Sequence, residues 1–248
     1  MKKYIILILV LAVFLTAFLF WPQNIVEDKK TMNNSNIEFI EIFNDIALSE
    51  EKIIKDVLLD VPFTSQAPFG DWSNNRYQDG CEEACVIMAD VWLQNKVSLT
   101  VAEAQQAIYD LSLWEEENYG SYVDTSAQDT VKRLLGEYYD YSNYEVREIE
   151  KVEEIIYELN KNNLVIVPTD GKELANPNFT APGPDRHMLV VKGYDGLNKQ
   201  FITNDPGTRL GENWRYHQDH LFRSIRDYPT GDHLQINSVE KNIIVIFK

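Results

Sequence analysis

The chain is 248 residues long, 44% hydrophobic and 12% aromatic, which supplies a core for one ordinary domain plus an appendage and excludes a disordered chain. Its formal net charge of −16 at pH 7 argues against nucleic acid or an anionic bilayer surface as partner, because both repel an acidic face. A neutral or basic peptide is better tolerated, and acidity alone also serves solubility.

The first residues form a separate object. Lys2 and Lys3 precede an apolar run from Tyr4 to Trp21, closed by Pro22. That length is at the short edge of a membrane-spanning helix, which needs roughly 17 to 25 residues. A cleaved signal peptide has a shorter apolar core and a small-residue exit site, whereas this run ends Phe18-Leu19-Phe20-Trp21. Residues 1–23 are therefore expected to be an N-terminal transmembrane helix anchoring the protein, with a removed signal as the alternative. The lysines stay in the cytoplasm, so the rest of the chain is expected outside it, tethered in the first case and secreted in the second. Residues 24–56 are polar and Asn-rich (Met32-Asn33-Asn34-Ser35-Asn36) and read as a tether.

The folded part is expected over residues 57–248. Val57 to Phe63 looks like a strand, followed by a Pro-, Gly-, Asp- and Asn-rich loop from Ala67 to Asp79. A buried helix is predicted from Cys81 to about Asn95. A second begins at Thr100, where Glu103 completes a capping box. Further helices are predicted over about 125–135 and 151–162. The second half then reads as strands over 164–168, 187–191, 199–203 and 242–247, with a short helix at about 218–226. Helices first and strands later predict an α+β domain, its helical N-terminal half packed on an antiparallel sheet.

Chemistry-bearing residues stand out against this frame. Cys81 follows a glycine, which can supply an unusual backbone angle, and it opens a helix, where unpaired N–H groups favour a thiolate. The chain has two cysteines. The other, Cys85, lies one turn deeper on the apolar face and reads as core; a bridge between residues four apart on one helix is not expected. His187 begins an apolar strand after a loop containing Asn176-Pro177-Asn178 and Ala181-Pro182-Gly183-Pro184, which suits an imidazole held rigid beside a cleft. One strand later come Asn204 and Asp205. Either can orient the imidazole, and strand alternation allows only one to reach it, with Asp205 preferred. Cysteine as nucleophile, histidine as base and an orienting third group make the set a thiol hydrolase needs. The oxyanion donors would be the Cys81 backbone N–H and Gln66, with Gln78 as rival. Trp72, Trp114, Tyr119, Tyr122 and Trp214 are either cleft or core. His217, His220 and His233 lack carboxylates or thiols at ligand spacing, so neither a metal nor another cofactor is expected.

Four blocks carry a resemblance: Val61-Pro62-Phe63-Thr64-Ser65-Gln66, Gly80-Cys81-Glu82, the run from His187 to Asp195, and Asn204-Asp205-Pro206-Gly207. In this order they are similar to the papain-like C39 peptidase superfamily, especially the C39-like branch of exported bacterial proteins, over residues 57–248. The resemblance implies a papain-like cysteine peptidase fold, with Cys81 as nucleophile, His187 as base, Asp205 as orienter and Gln66 in the oxyanion hole. Leader-peptide processing by transporter-fused members does not carry over, because this chain has no nucleotide loop and no transporter body. Glu82-Glu83 stands where many relatives have Gly-Pro, so the resemblance does not carry over a subsite shape. The resulting expectation is an exported, membrane-tethered thiol hydrolase that cleaves peptide or amide bonds through a thioester. The alternatives are a non-catalytic module binding peptide or cell-wall material on the same fold, and an acyl transferase.

Overall fold

The computed structural model describes residues 56–237 and 239–248. The expected anchor over 1–23 and all but the last residue of the tether over 24–56 lie outside the described residues. Among the described residues no helix is long and apolar enough to cross a membrane.

The predicted α+β layering is observed. Seven strands, β1 Val57–Leu58, β2 Tyr144–Glu148, β3 Leu164–Thr169, β4 His187–Asp195, β5 Gln200–Asn204, β6 Trp214–His217 and β7 Asn242–Ile246, form one antiparallel sheet. Its order is β2-β7-β3-β4-β5-β6, with β1 on β4. The central strand β4 is buried from His187 to Tyr194, and its continuous apolar run is what a strand covered on both faces requires. β3 pairs with its first half, from Thr169 opposite His187 to Val165 opposite Val191. β1 takes the same edge further on, with Val57 opposite Tyr194 and Leu58 opposite Gly193. A Cβ at Gly193 would meet the Val57 carbonyl oxygen at 2.5 Å, so this close pairing needs glycine.

The predicted strand over 57–63 is thus only two residues long. Beyond Leu58 the edge of β4 already belongs to β3, and the chain turns away under other bonds. The Lys192 ammonium donates to the Val61 carbonyl at 3.2 Å, and the Asn204 amide donates to Val61 and Pro62 at 3.0 and 3.3 Å. The edge strands β2 and β6 (YEVRE and WRYH) escape the sequence reading because polar residues interrupt any apolar alternation.

Seven helices complete the described fold: α1 Asn75–Gln78, α2 Cys81–Leu93, α3 Val101–Tyr119, α4 Ala127–Thr130, α5 Val152–Asn160, α6 Gly171–Leu174 and α7 Gln218–Ser224. Every residue of α2 from Cys81 to Trp92 is buried, the apolar ones with the acids Glu82, Glu83 and Asp90 among them. It packs against β4 and α3. Thr100 and Glu103 form the predicted capping box of α3, which ends at Gly120 in the left-handed region, φ 80°; glycine takes that conformation without a Cβ clash. The single helix predicted over 125–135 is instead α4 followed by a π-helical stretch, Val131–Tyr138. Its wider turns keep Val131, Leu134 and Leu135 in the core.

The α2–α3 contact buries acids. Glu83 on α2 and Glu115 on α3 are both fully buried, and the nearest cation is the Arg133 guanidinium, 3.6 Å from Glu115. Burial, then the charge of Glu82, push Glu115 up to about 8 against the Arg133 attraction. A carboxyl whose folded pKa is raised stabilises the fold fully below its unfolded value and loses that contribution as pH rises through the folded one. Between about 4.5 and 8 the loss is on the order of 5 kcal/mol. Melting temperature is expected to fall across that window, and Glu115→Gln to flatten the fall. An identical slope in the variant would contradict the assignment.

Candidate active site

Cys81 is the first residue of α2, with Gly80 as N-cap at φ −90°. The expectation that this glycine supplies an unusual backbone angle is not met. Its role is steric: a Cβ there would lie 2.6 Å from the Arg76 carbonyl oxygen and 3.2 Å from Ile108 Cγ2. Any side chain would push the start of α2 away from α1 and α3.

His187, the first residue of β4, is 2% exposed. Its Nε2 lies 2.7 Å from Asp205 Oδ1. The Gly207 N–H donates to that same oxygen at 3.0 Å, and Oδ2 accepts from the Asn176 amide at 3.0 Å and the Tyr216 hydroxyl at 2.7 Å. Burial alone would push Asp205 up. The charge of His187 and the hydrogen bonds from His187, Tyr216 and Asn176 outweigh it and hold the carboxyl below its usual value. An ionised Asp205 accepts the Nε2 proton, which leaves Nδ1 as the basic nitrogen of the neutral ring. Phe179 packs edge-on against the ring at 5.2 Å, and a Cβ at Gly207 would come within 2.9 Å of its Cε1. The ring is therefore fixed in orientation. Asn204, the rival third residue, faces the other way and holds Val61 and Pro62.

Gln66 reaches the same place on a different segment. Its backbone N–H donates to the Pro206 carbonyl at 2.9 Å, and the Ser65 hydroxyl donates to the same oxygen at 3.2 Å. This stitches the Gln66 segment to the Asp205–Gly207 turn. The Gln66 side-chain amide donates one hydrogen to the Gln78 carbonyl at 2.6 Å; a primary amide has a second. The rival Gln78 thus holds Gln66 through its backbone.

Gln66, Cys81 and His187 all line one cleft of about 1270 Å³. Asn178, Phe179 and Pro184 from the predicted wall loop line it as well. Of the aromatic candidates, Trp72 lines the cleft. Trp114 packs edge-on against Tyr119 and Tyr138, Tyr122 lies beneath the Arg76 guanidinium, and Trp214 stands against Tyr216. The three remaining histidines disperse: His217 caps α7, His220 bonds the Glu173 carbonyl, and His233 pairs with Asp124 at 3.0 Å. That Asp124 also pairs with Arg186 at 3.2 Å, and all three residues line the cleft. Asp124 and Arg186 were not singled out from the sequence, and His233 was weighed there only as a metal ligand; only tertiary contact distinguishes the three from ordinary surface charges.

The sulfur departs from expectation. Both cysteines are free and buried. The Cys81 thiol donates to Glu82 Oε2 at 3.0 Å. Burial, then the Glu82 charge and this hydrogen bond, push the thiol well above its ordinary value, opposite to the thiolate that a helix start was expected to favour. Glu82 does not shape a subsite either: it is buried, its Oε1 accepting from the Tyr228 hydroxyl at 2.7 Å and the Thr125 N–H at 3.4 Å.

No curated protein sequence matches the chain. The crystal structure of a candidate C39-like peptidase from Bacillus anthracis is similar at 14% identity and a TM-score of 0.49, over 78% of this chain and 98% of that one. Residues 58–228 match the Peptidase_C39 like family, a span that includes Gln66, Cys81, His187 and Asp205. By that match over most of its length, the chain belongs to the Peptidase_C39 like family.

Proposed function

We propose that the protein is a cysteine peptidase or amidase of papain-like design, with Cys81 as nucleophile, His187 as general base and acid, Asp205 as orienter and Gln66 in the oxyanion hole. The observation that carries this reading is the His187–Asp205 pair, whose geometry leaves Nδ1 basic on a ring lining the same cleft as Cys81. Nδ1 takes the Cys81 proton, and the thiolate attacks the carbonyl carbon of the scissile bond. The oxyanion is met by the Cys81 backbone N–H and the second hydrogen of the Gln66 amide. The imidazolium then protonates the departing amine, leaving a thioester. Water attacks it while His187 accepts a water proton; the C–S bond breaks, the proton returns to sulfur and a carboxylic acid leaves.

The apolar run near the N-terminus, with Lys2 and Lys3 before it, supports an exported, membrane-tethered enzyme facing peptide-like substrate outside the cytoplasm. One experiment with two arms tests chemistry and location. A membrane-impermeant peptidyl chloromethyl ketone is given to the purified protein and to intact cells, and labelled peptides are mapped by mass spectrometry. Cys81 is expected to label and Cys85 to remain free in both arms. Equal labelling of both thiols, or none, overturns the chemistry; labelling of the purified protein alone overturns the location.

A further inference from the structure

The peptidase reading leaves one close contact without a function: the carboxylate of Glu82, 3.0 Å from the sulfur it follows in sequence. Glu82 is 3% exposed, and its partners are a thiol, a phenol and a backbone N–H, none of them a cation. A carboxylate so placed opposes ionisation of the thiol in two ways. It accepts the S–H hydrogen bond, which favours the protonated sulfur, and its charge repels a thiolate. We infer that Glu82 is a brake on the nucleophile, holding the Cys81 proton on sulfur in the resting site, so that the sulfur must turn from Glu82 towards His187 before it can react. This rests on Cys81 being the nucleophile, as proposed above.

The surroundings reinforce the brake. Glu83 and Cys85 on α2, Glu115 on α3 and Asp124 from the segment after α3 add negative or neutral groups about the pair, and Tyr228 closes it from beyond α7. The nearby cations have other partners: Arg133 is held by Glu115 and Arg186 by Asp124, which also takes His233. His187, when protonated, is bound to Asp205. Rotation about the Cα–Cβ bond of Cys81 is the motion by which a side chain of this length changes partners.

The test is the pH dependence of Cys81 alkylation by iodoacetamide in wild type and Glu82→Gln, read by peptide mapping between about pH 4 and 9. At pH 7 the variant is expected to alkylate about tenfold faster or more, the effect of lowering the thiol pKa by one unit. The ratio of the two rates should fall towards one at acid pH, where Glu82 of the wild type is itself neutral. Burial raises the Glu82 pKa, so this convergence begins above the ordinary carboxylate range. A ratio of one or less at pH 7 overturns the inference, and so does an elevated ratio that does not change with pH, which is what simple loosening of the site would give. Cys81 reacting no faster than Cys85 in either protein overturns the nucleophile assignment instead. Should Glu82→Gln not fold, Tyr228→Phe replaces it. Loss of the hydroxyl donor leaves Glu82 protonated to higher pH, so the brake should set in later, and an unmoved profile refutes it.

Discussion

Replacing Cys81 by alanine is expected to lower peptide turnover by roughly 10⁴-fold or more without unfolding the protein. The thiol is the sole atom on the proposed path that forms and breaks a bond to the substrate carbon, so neither His187 nor the oxyanion donors can substitute for it. The cost to stability is confined to one buried carboxylate oxygen, Glu82 Oε2, which loses the S–H donor 3.0 Å away; the other neighbours of Cys81 keep their partners. Glu82 still accepts from Tyr228 and Thr125, and Gly80 still admits the α1–α2 junction. Cys85→Ala makes the matched control. That residue is fully buried among core side chains, so its loss should destabilise the fold by about 1 kcal/mol and leave turnover in place. The measurement is turnover of a peptide library by each variant, with thermal melts alongside. Full turnover by Cys81→Ala would eliminate the thiol mechanism, whereas no turnover by the wild type, with peptide binding that survives Cys81→Ala, would leave a binding module.

What could be read from the sequence depended on how local each signal is. Cys81 and His187 were visible because each sits where a turn-rich segment meets an apolar run, and such a junction is written in neighbouring residues. Helix α3 was visible for the same reason, its start encoded by Thr100 and Glu103 within four positions. Asp205 and Asn204 were not separable by pattern alone. The choice is made by the pairing of β4 with β5, which sets Val190 opposite Asn204 and ends the strand before Asp205. Donors from Asn176, Gly207 and Tyr216 then converge on that carboxylate from three segments. Glu82 misled for a physical reason. An acid in the first turn of a helix ordinarily faces water and complements the helix dipole. Here Tyr228, 146 residues away in sequence, folds over it and turns a surface acid into a buried one beside the sulfur.

Asp205→Ala should lower kcat/KM by about 10³- to 10⁴-fold and destabilise the fold by about 3–5 kcal/mol. The carboxylate is fully buried and collects four donors, so its removal strands the Gly207 N–H, the Asn176 amide, the Tyr216 hydroxyl and one ring nitrogen together. Asp205→Asn separates the two effects. An amide oxygen at the Oδ1 position can still accept from His187 and Gly207, which preserves the ring's orientation and its basic Nδ1. The amide hydrogens then point at Asn176, a donor facing donors, and the negative charge opposite the protonated ring is lost. A smaller stability loss of about 1–3 kcal/mol is therefore expected, with activity still reduced. The pH signature differs as well. Because the folded pKa of Asp205 is depressed, its contribution to stability is present above the unfolded value near 3.8 and is lost as pH falls through the folded one. Acid unfolding of wild type should steepen in that interval, and both variants should lack this component. If Asp205→Asn instead melts and turns over like wild type, the charge on Asp205 contributes to neither stability nor catalysis, and orientation of the ring by a hydrogen-bond acceptor is all that the site requires.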